Sequence, residues 1–178
     1  MPAEPAPCHC AGRIGLISDT HGLLRPEALT FLGGCGLIIH GGDIGDSAIL
    51  DALGRIAPVI AVRGNNDKEP FAKQLKEAEF IQVGDVLVYA IHDRSQIDTD
   101  LRAGGVRVVV SGHSHKPLIE ERDGLLFGNP GSAGPRRFKL PIAIGELVID
   151  GACVSARVVD LADGRTTVSA NFEACVNR

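Results

Sequence analysis

Five short blocks in this chain combine carboxylate, imidazole and amide side chains at spacings that suit metal chemistry. Ser18-Asp19-Thr20-His21 offers a carboxylate and an imidazole two residues apart, which an extended backbone turns to the same side. His40-Gly41-Gly42-Asp43 places a carboxylate after two glycines that allow close backbone approach, and Asp43 is a candidate to bridge two ions. Gly64-Asn65-Asn66-Asp67 supplies in Asn65 a neutral oxygen ligand. His92 stands alone, and Gly112-His113-Ser114-His115 brings two more imidazoles. Each fragment alone is as well read as a turn or a hydrogen-bonded histidine. Together they can hold a pair of cations.

Ligands spread over about a hundred residues converge only if the fold gathers them. Each block follows an apolar, β-branched run of strand length: Ile14 to Ile17, Leu37 to Ile39, Val59 to Val62, Val86 to Ile91 and Val106 to Val110. Open α/β sheets bind ligands beyond the carboxyl ends of their strands, so five strand ends can share one rim. Helical spacing is expected over Pro26 to Leu32 and over Ser47 to Ile56. The second has Asp46 as N-cap and Ile49, Leu50, Leu53 and Ile56 on one face. Lys68 to Glu77 and Ile97 to Ala103 read as two further helices. After Gly112 the pattern becomes mainly antiparallel, with strands at Leu118 to Arg122, Leu125 to Phe127, Ile142 to Ile149 and Cys153 to Val159. Asp123-Gly124 and Asp150-Gly151 suit the hairpin turns. Val154 to Val159 is a candidate edge, either for pairing between subunits in a homo-oligomer or covered within one subunit.

Composition narrows the function. The 178 residues are 44% apolar and 22% charged, ordinary for one globular domain of about 150 residues. A net charge of −4 and an aromatic supply of six Phe, one Tyr and no Trp give no signal for nucleic-acid binding. No apolar run is long enough to span a membrane. Residues 1–12, with three prolines and no secretory pattern, read as a flexible tail ahead of a domain over 13–178 in a cytoplasmic protein. Five cysteines without a CxxC spacing argue against a disulfide framework, and Cys8, His9 and Cys10 are a weak metal-capture cluster.

The blocks DxH, GD, GNxD, a strand-ending His and GHxH, in that order from Asp19 to His115, resemble the calcineurin-like metallophosphoesterase superfamily. The short length and Asn129-Pro130-Gly131-Ser132 look most like its small YfcE-like phosphodiesterase branch. The resemblance implies an α/β fold, a four-layer αββα sandwich of two mixed β-sheets flanked by helices. It implies one ion held by Asp19, His21, Asp43 and His115, and a second by Asp43, Asn65, His92 and His113. Mixed oxygen and nitrogen donors suit manganese first, with iron, zinc, nickel or magnesium as alternatives. The implied activity is phosphodiester hydrolysis of a small phosphate ester by a bridging metal-bound hydroxide, with Asp43, Asn65 and His92 acting through the metals. Phosphomonoester hydrolysis and a non-catalytic protein-binding scaffold are the alternative readings.

Two positions depart from the pattern. Asn66 stands where many members have His, and Asn cannot act as a general acid at neutral pH. Asp93 replaces the Gly that usually follows the strand-ending His, and either orients His92 or adjusts the local structure. His40, Asp67 and Asp93 are expected to support the site without ligating. Arg136 and Arg137 are candidate phosphate contacts through their guanidinium forks.

Overall fold

The computed structural model describes residues 12–174. The tail expected over 1–12 lies outside the described residues except for Gly12, which already belongs to the first strand, and the Cys8-His9-Cys10 cluster lies outside them entirely.

Thirteen elements build two facing sheets. In chain order they are β1 (Gly12–Ile17), α1 (Pro26–Leu32), β2 (Leu37–His40), α2 (Ser47–Gly54), β3 (Val59–Ala61), β4 (Ala78–Val83), β5 (Val86–Ile91), β6 (Val106–Val110), β7 (Pro117–Arg122), β8 (Leu125–Pro130), β9 (Ala143–Asp150), β10 (Cys153–Asp160) and β11 (Thr166–Glu173). One sheet runs β11-β10-β9-β1-β2-β3 and the other β4-β5-β6-β8-β7. Both are mixed. β1, β2 and β3 are parallel to one another, as are β5, β6 and β8, and the remaining neighbours pair antiparallel. Each sheet therefore contributes three parallel strands, and the loops leaving their carboxyl ends carry the chemistry.

The apolar faces explain the layering. Ile14, Leu16, Leu37 and Ile39 from one sheet meet Val86, Val88, Val108 and Val110 from the other, all fully or almost fully buried between the sheets. The alternate residues Ile17 and Ile38 face outward and are covered by Leu32 of α1 and Leu53 of α2. This period-2 partition is what a strand buried on both faces requires. α1 starts with Pro26 in its first turn, where the missing N–H costs nothing, and Asp46 caps α2 by accepting from Ala48 N at 2.8 Å.

The outer face of the second sheet differs from expectation. Ile97 to Ala103 is not a helix: a short 3₁₀ turn at Arg94–Gln96 is followed by turns. Leu101 and Ile97 still cover Val106, Val109 and Leu125. The expected helix over Lys68 to Glu77 shrinks to a 3₁₀ turn at Pro70–Gln74, because Leu75 is already extended on the approach to β4. β4 and β11 were not expected from sequence. β4 buries Ile81 and Val83 in alternation with the more exposed Phe80 and Gln82, and β11 buries little beyond Phe172. β11 decides between the two readings of Val154 to Val159: β10 is covered within the subunit, lying inside the sheet between β9 and β11, and is not free to pair with another copy. The two Asp-Gly hairpins form as expected, with Asp123 and Gly124 both at positive φ. No helix among the described residues is long and apolar enough to cross a membrane.

Glu146 of β9 is a buried carboxylate held between two guanidinium groups. Arg13 Nε donates to Oε2 and Arg157 Nε to Oε1. Burial raises its pKa, but the hydrogen bonds and charges of Arg13 and Arg157 outweigh that and hold it below the ordinary value of 4.5. A carboxylate with a depressed folded pKa contributes stability above its unfolded pKa and loses it as pH falls through the folded value. Glu146→Gln is therefore expected to lower the denaturation midpoint at pH 7 and to converge with the parent protein in acid. Parallel midpoint curves from pH 7 to pH 3 would show that the charge contributes nothing.

Candidate metal centre

The loops that follow β1, β2, β3, β5 and β6 meet at one rim, held by backbone bonds such as Asp19 N to Gly42 O (3.0 Å) and Gly112 N to His92 O (2.9 Å). All seven residues singled out as ligands are brought together there. The local geometry is not the extended alternation expected from sequence. Asp19, His21, Asp43, His113 and His115 all have positive φ, between 45° and 68°. Seven described non-glycine residues adopt such a φ, and five are these candidates. Left-handed backbone is unfavourable for side chains of this size, and it concentrates where surrounding structure enforces a function.

On one side of the centre, His115 Nε2 lies 3.1 Å from Asp19 Oδ1 and 3.3 Å from His21 Nε2. On the other, Asn65 Oδ1 is 3.1 Å from both His92 Nε2 and His113 Nδ1. Asp43 Oδ2 faces both groups, at 3.8 Å from His21 Nε2 and 3.4 Å from His92 Nε2. A divalent ion with bonds of about 2.1 Å separates adjacent ligand atoms by about 3.0 Å in octahedral and about 3.4 Å in tetrahedral geometry. The observed separations fit that range or exceed it slightly. The set Asp19, His21 and His115 and the set Asp19, Asp43 and His92 each bring their donor atoms within 4.8 Å of one another.

Asp19 gives the most direct sign of a cation. It is fully buried; its Oδ2 accepts from Ser18 Oγ (2.6 Å) and His113 N (3.1 Å), while Oδ1 takes no hydrogen bond and faces imidazole nitrogens. A buried carboxylate oxygen without a donor is costly unless a positive charge serves it. The residues present therefore fit a bound divalent cation.

The supporting contacts come from elsewhere in the rim. His92 Nδ1 donates to Gly41 O at 2.6 Å, which turns Nε2 toward Asp43. Burial opposes its protonation, but the contacts with Asp43 and with the Gly41 carbonyl raise its pKa overall. Burial likewise raises the pKa of Asp43, yet hydrogen bonds from His92 and from the Asn66 backbone and side chain hold it well below the carboxylate range. Asn66 is thus occupied: its N–H reaches Asp43 Oδ1 at 2.9 Å and its Nδ2 reaches Oδ2 at 2.8 Å. His21 is lowered chiefly by burial, opposed by Asp43 and Asp19 and assisted by His115 and Arg137.

His40, Asp67 and Asp93 stand beside the donor set. His40 is fully buried and pushed down to about 4, chiefly by burial. Its Nδ1 accepts from Gly42 N, so Nε2 carries the proton and donates to Thr20 Oγ1, whose hydroxyl donates to Ile44 O. Asp67 accepts three backbone N–H groups, Ile44 and Gly45 on Oδ1 and Gly64 on Oδ2, and so ties the Asp43 loop to the Asn65 loop. Asp67→Ala leaves all three donors without this acceptor and is expected to cost about 3 kcal/mol in denaturant unfolding. A change below about 0.5 kcal/mol would show that other contacts hold the loops. Asp93 does not orient His92, whose Nδ1 is taken by Gly41 O; its Oδ2 instead lies 3.8 Å from His113 Nε2. Arg136 and Arg137 lie in an exposed loop, and of the two Arg137 places its charge close enough to act on His21.

Asn129 and Ser132 support the centre in a way their spacing alone does not reveal. Asn129 Nδ2 donates to Gly112 O and Ser114 Oγ, and Ser132 Oγ donates to Asp19 O, so the Asn-Pro-Gly-Ser segment at the end of β8 braces two ligand loops. Polar residues directly ending an apolar strand were the available signal.

Comparison with known proteins agrees with this geometry. The profile of the calcineurin-like phosphoesterase superfamily domain matches residues 13–150. A probable metallophosphoesterase of Methanocaldococcus jannaschii is 37% identical over 132 residues, covering 67% of this chain and 67% of the relative. Another, from Methanothermobacter thermautotrophicus, is 36% identical over 157 residues, covering 82% and 91%. A phosphodiesterase of M. jannaschii is 28% identical over 137 residues, covering 67% and 82%. Among solved structures, Vacuolar Protein Sorting 29 from Cryptosporidium parvum superposes with a TM-score of 0.77 at 23% identity, covering 91% and 98%. The E. coli phosphoesterase YfcE gives 0.69 at 22%, covering 89% and 98%. The strand-end donor set, the paired sheets and the matched profile converge: the chain belongs to the calcineurin-like phosphoesterase superfamily.

Proposed function

We propose that the protein is a phosphodiesterase dependent on two divalent ions, manganese foremost. Asp19, His21, Asp43 and His115 would hold one ion, and Asp43, Asn65, His92 and His113 the other. The observation that supports this reading is Asp43 Oδ2 facing both donor groups while Asp19 Oδ1, buried, has no hydrogen-bond donor. Ions bound there supply Lewis acidity, lowering the pKa of water and neutralising charge on the phosphoryl oxygens.

The chain's own groups do the rest. Gly41 and Asn66 fix His92 and Asp43, so the donors need little rearrangement. Arg137, whose charge reaches His21, is the candidate of the two arginines for contact with a phosphate oxygen. Two cavities adjoin the His113 side of the centre, of about 640 Å³ beside Asn65 and His92 and about 360 Å³ beside Gly112 and Ser114, with His113 and Asp93 on the wall of both. A diester has two substituents to place and a monoester one, so this arrangement favours the diester. The similar phosphodiesterase adds weight.

Asn66 limits the substrate. With no general acid at that position, and its amide already bonded to Asp43, departure of a poor leaving group lacks a proton donor there. General acid catalysis is worth about 10² to 10⁴-fold. Rates should therefore fall steeply as leaving-group pKa rises, and Asn66→His should flatten that dependence even if absolute turnover drops. Equal slopes for both proteins would contradict this account of Asn66.

The second reading is a protein-binding scaffold, favoured by Asn66 and by the fold shared with Vacuolar Protein Sorting 29. The deciding experiment is hydrolysis of bis(p-nitrophenyl) phosphate and p-nitrophenyl phosphate by chelator-treated protein with and without manganese. Manganese-dependent turnover with higher kcat/KM for the diester is expected. No turnover of either ester with manganese, iron, zinc, nickel or magnesium would favour the scaffold.

A further inference from the structure

His113 is the least protected imidazole of the candidate metal centre. Its side chain is 47% exposed, against 19% for His21, 5% for His92 and 4% for His115. An exposed ring loses rotational freedom when it ligates, so something must hold it if it is to bind well. Its Nδ1 lies on the ligand side, 3.1 Å from Asn65 Oδ1, which leaves Nε2 on the far side. For His92 the nitrogen away from the centre is fixed by the Gly41 carbonyl. For His113 the acceptor facing that nitrogen is Asp93 Oδ2, at 3.8 Å.

Asp93 is itself held in place. Its Oδ1 accepts from Ser95 N at 2.9 Å, capping the 3₁₀ turn at Arg94–Gln96. With one oxygen fixed by the cap, the other is directed at the ring. A direct hydrogen bond needs about 1 Å of closure, within reach of a side-chain rotation, and one bridging water would serve at the present distance.

We propose that Asp93 is a positioning residue for His113: its carboxylate accepts the Nε2 proton, selects the tautomer with a bare Nδ1, and presents that nitrogen to a divalent ion. This rests on the two-ion reading above. Partners of this kind change metal affinity by about 10 to 100-fold when removed. Asp93 thus acts on one of the two ions, the one shared with Asn65 and His92, and leaves the Asp19 side untouched. A residue that departs from the superfamily pattern thereby acquires a role in tuning one site of the pair.

The capping role and the positioning role separate by substitution. Asn and Ser both cap 3₁₀ and helical turns well, so Asp93→Asn and Asp93→Ser retain an acceptor for Ser95 N while removing the carboxylate from His113. Glu69→Gln is the control, since Glu69 lines the same 640 Å³ cavity but makes no contact with a candidate ligand. Metal-free proteins are titrated with Mn²⁺ by calorimetry and melted without metal. The parent is expected to bind two ions. Both Asp93 variants should keep one site unchanged, weaken the other about 10 to 100-fold, and melt with the parent when metal-free. Glu69→Gln should match the parent throughout. Two unchanged sites in the Asp93 variants would overturn the proposal, as would an equal loss in Glu69→Gln. A parent that binds fewer than two ions would overturn the two-ion reading and this proposal with it. If Asp93→Asn fails to fold, Asp93→Ser carries the test.

Discussion

Asp43→Asn is expected to lower diester turnover by at least about 10³-fold and to reduce the number of manganese ions bound. In the proposed two-ion site several kcal/mol of charge stabilisation would depend on the ions, and about 4 kcal/mol corresponds to that factor. Asp43 is the residue whose loss should reach both ions, because one of its oxygens faces His21 and His92 together. Asparagine preserves size and can still accept one of the two Asn66 bonds, but it presents a neutral oxygen or an amide donor where a carboxylate stood. The fold should survive, since the backbone bonds from Gly22, His21 and Asp19 to this loop involve main-chain atoms. Paired measurement of turnover and metal content by elemental analysis checks the prediction. Undiminished turnover, or an unchanged count of two bound ions with turnover intact, would remove Asp43 from the site.

Gly64→Ala is expected to be nearly as damaging, through sterics rather than charge. A Cβ at position 64 would stand 2.1 Å from Asp43 Oδ1 and 2.2 Å from Asp43 N. The second of these is backbone and cannot rotate away. Either the Asp43 loop or the Asn65 loop must move, breaking the Gly64 N to Asp67 Oδ2 bond that joins them. Overpacking of this kind costs about 1 to 3 kcal/mol in an ordinary core, and a rigid backbone contact belongs at or above the upper end. Turnover should fall with stability because Asp43 and Asn65 sit on the displaced loops. Gly54→Ala, at the end of α2 with open space around its Cβ, is the matched control and should be neutral or slightly stabilising. Equal denaturation midpoints for the two variants would contradict the packing argument.

Sequence exposed the site more completely than it exposed the frame. Asp19, His21, Asp43, Asn65, His92, His113 and His115 could be picked out because each follows a strand whose β-branched residues are unmistakable. What spacing could not supply was the backbone conformation: Asp19 and His21 converge through left-handed turns, not through the alternation of an extended strand. The same limit hid Asn66. Its identity showed what it cannot do, while its two bonds to Asp43 depend on how the loops after β2 and β3 cross.

In the frame, α2 was legible from its cap and its Ile49 and Leu53 face, whereas β4 and β11 were not. β4 buries only Ile81 and Val83 and leaves Phe80 exposed, and β11 packs through little more than Phe172, so both are defined by the neighbour they pair with. Ile97 to Ala103 failed for the converse reason. It has the apolar residues of a short helix, and Ile97 and Leu101 do reach the sheet, but a chain of turns suffices to deliver them. Tertiary contact, not local preference, chose the backbone there.

The central claim is that two divalent ions share Asp43. Diffraction from crystals grown with manganese, recorded above and below the manganese absorption edge, tests it most directly. The account predicts two anomalous peaks, one among Asp19, His21 and His115, the other among Asn65, His92 and His113, with Asp43 between them. A single peak, or peaks away from these residues, would contradict it.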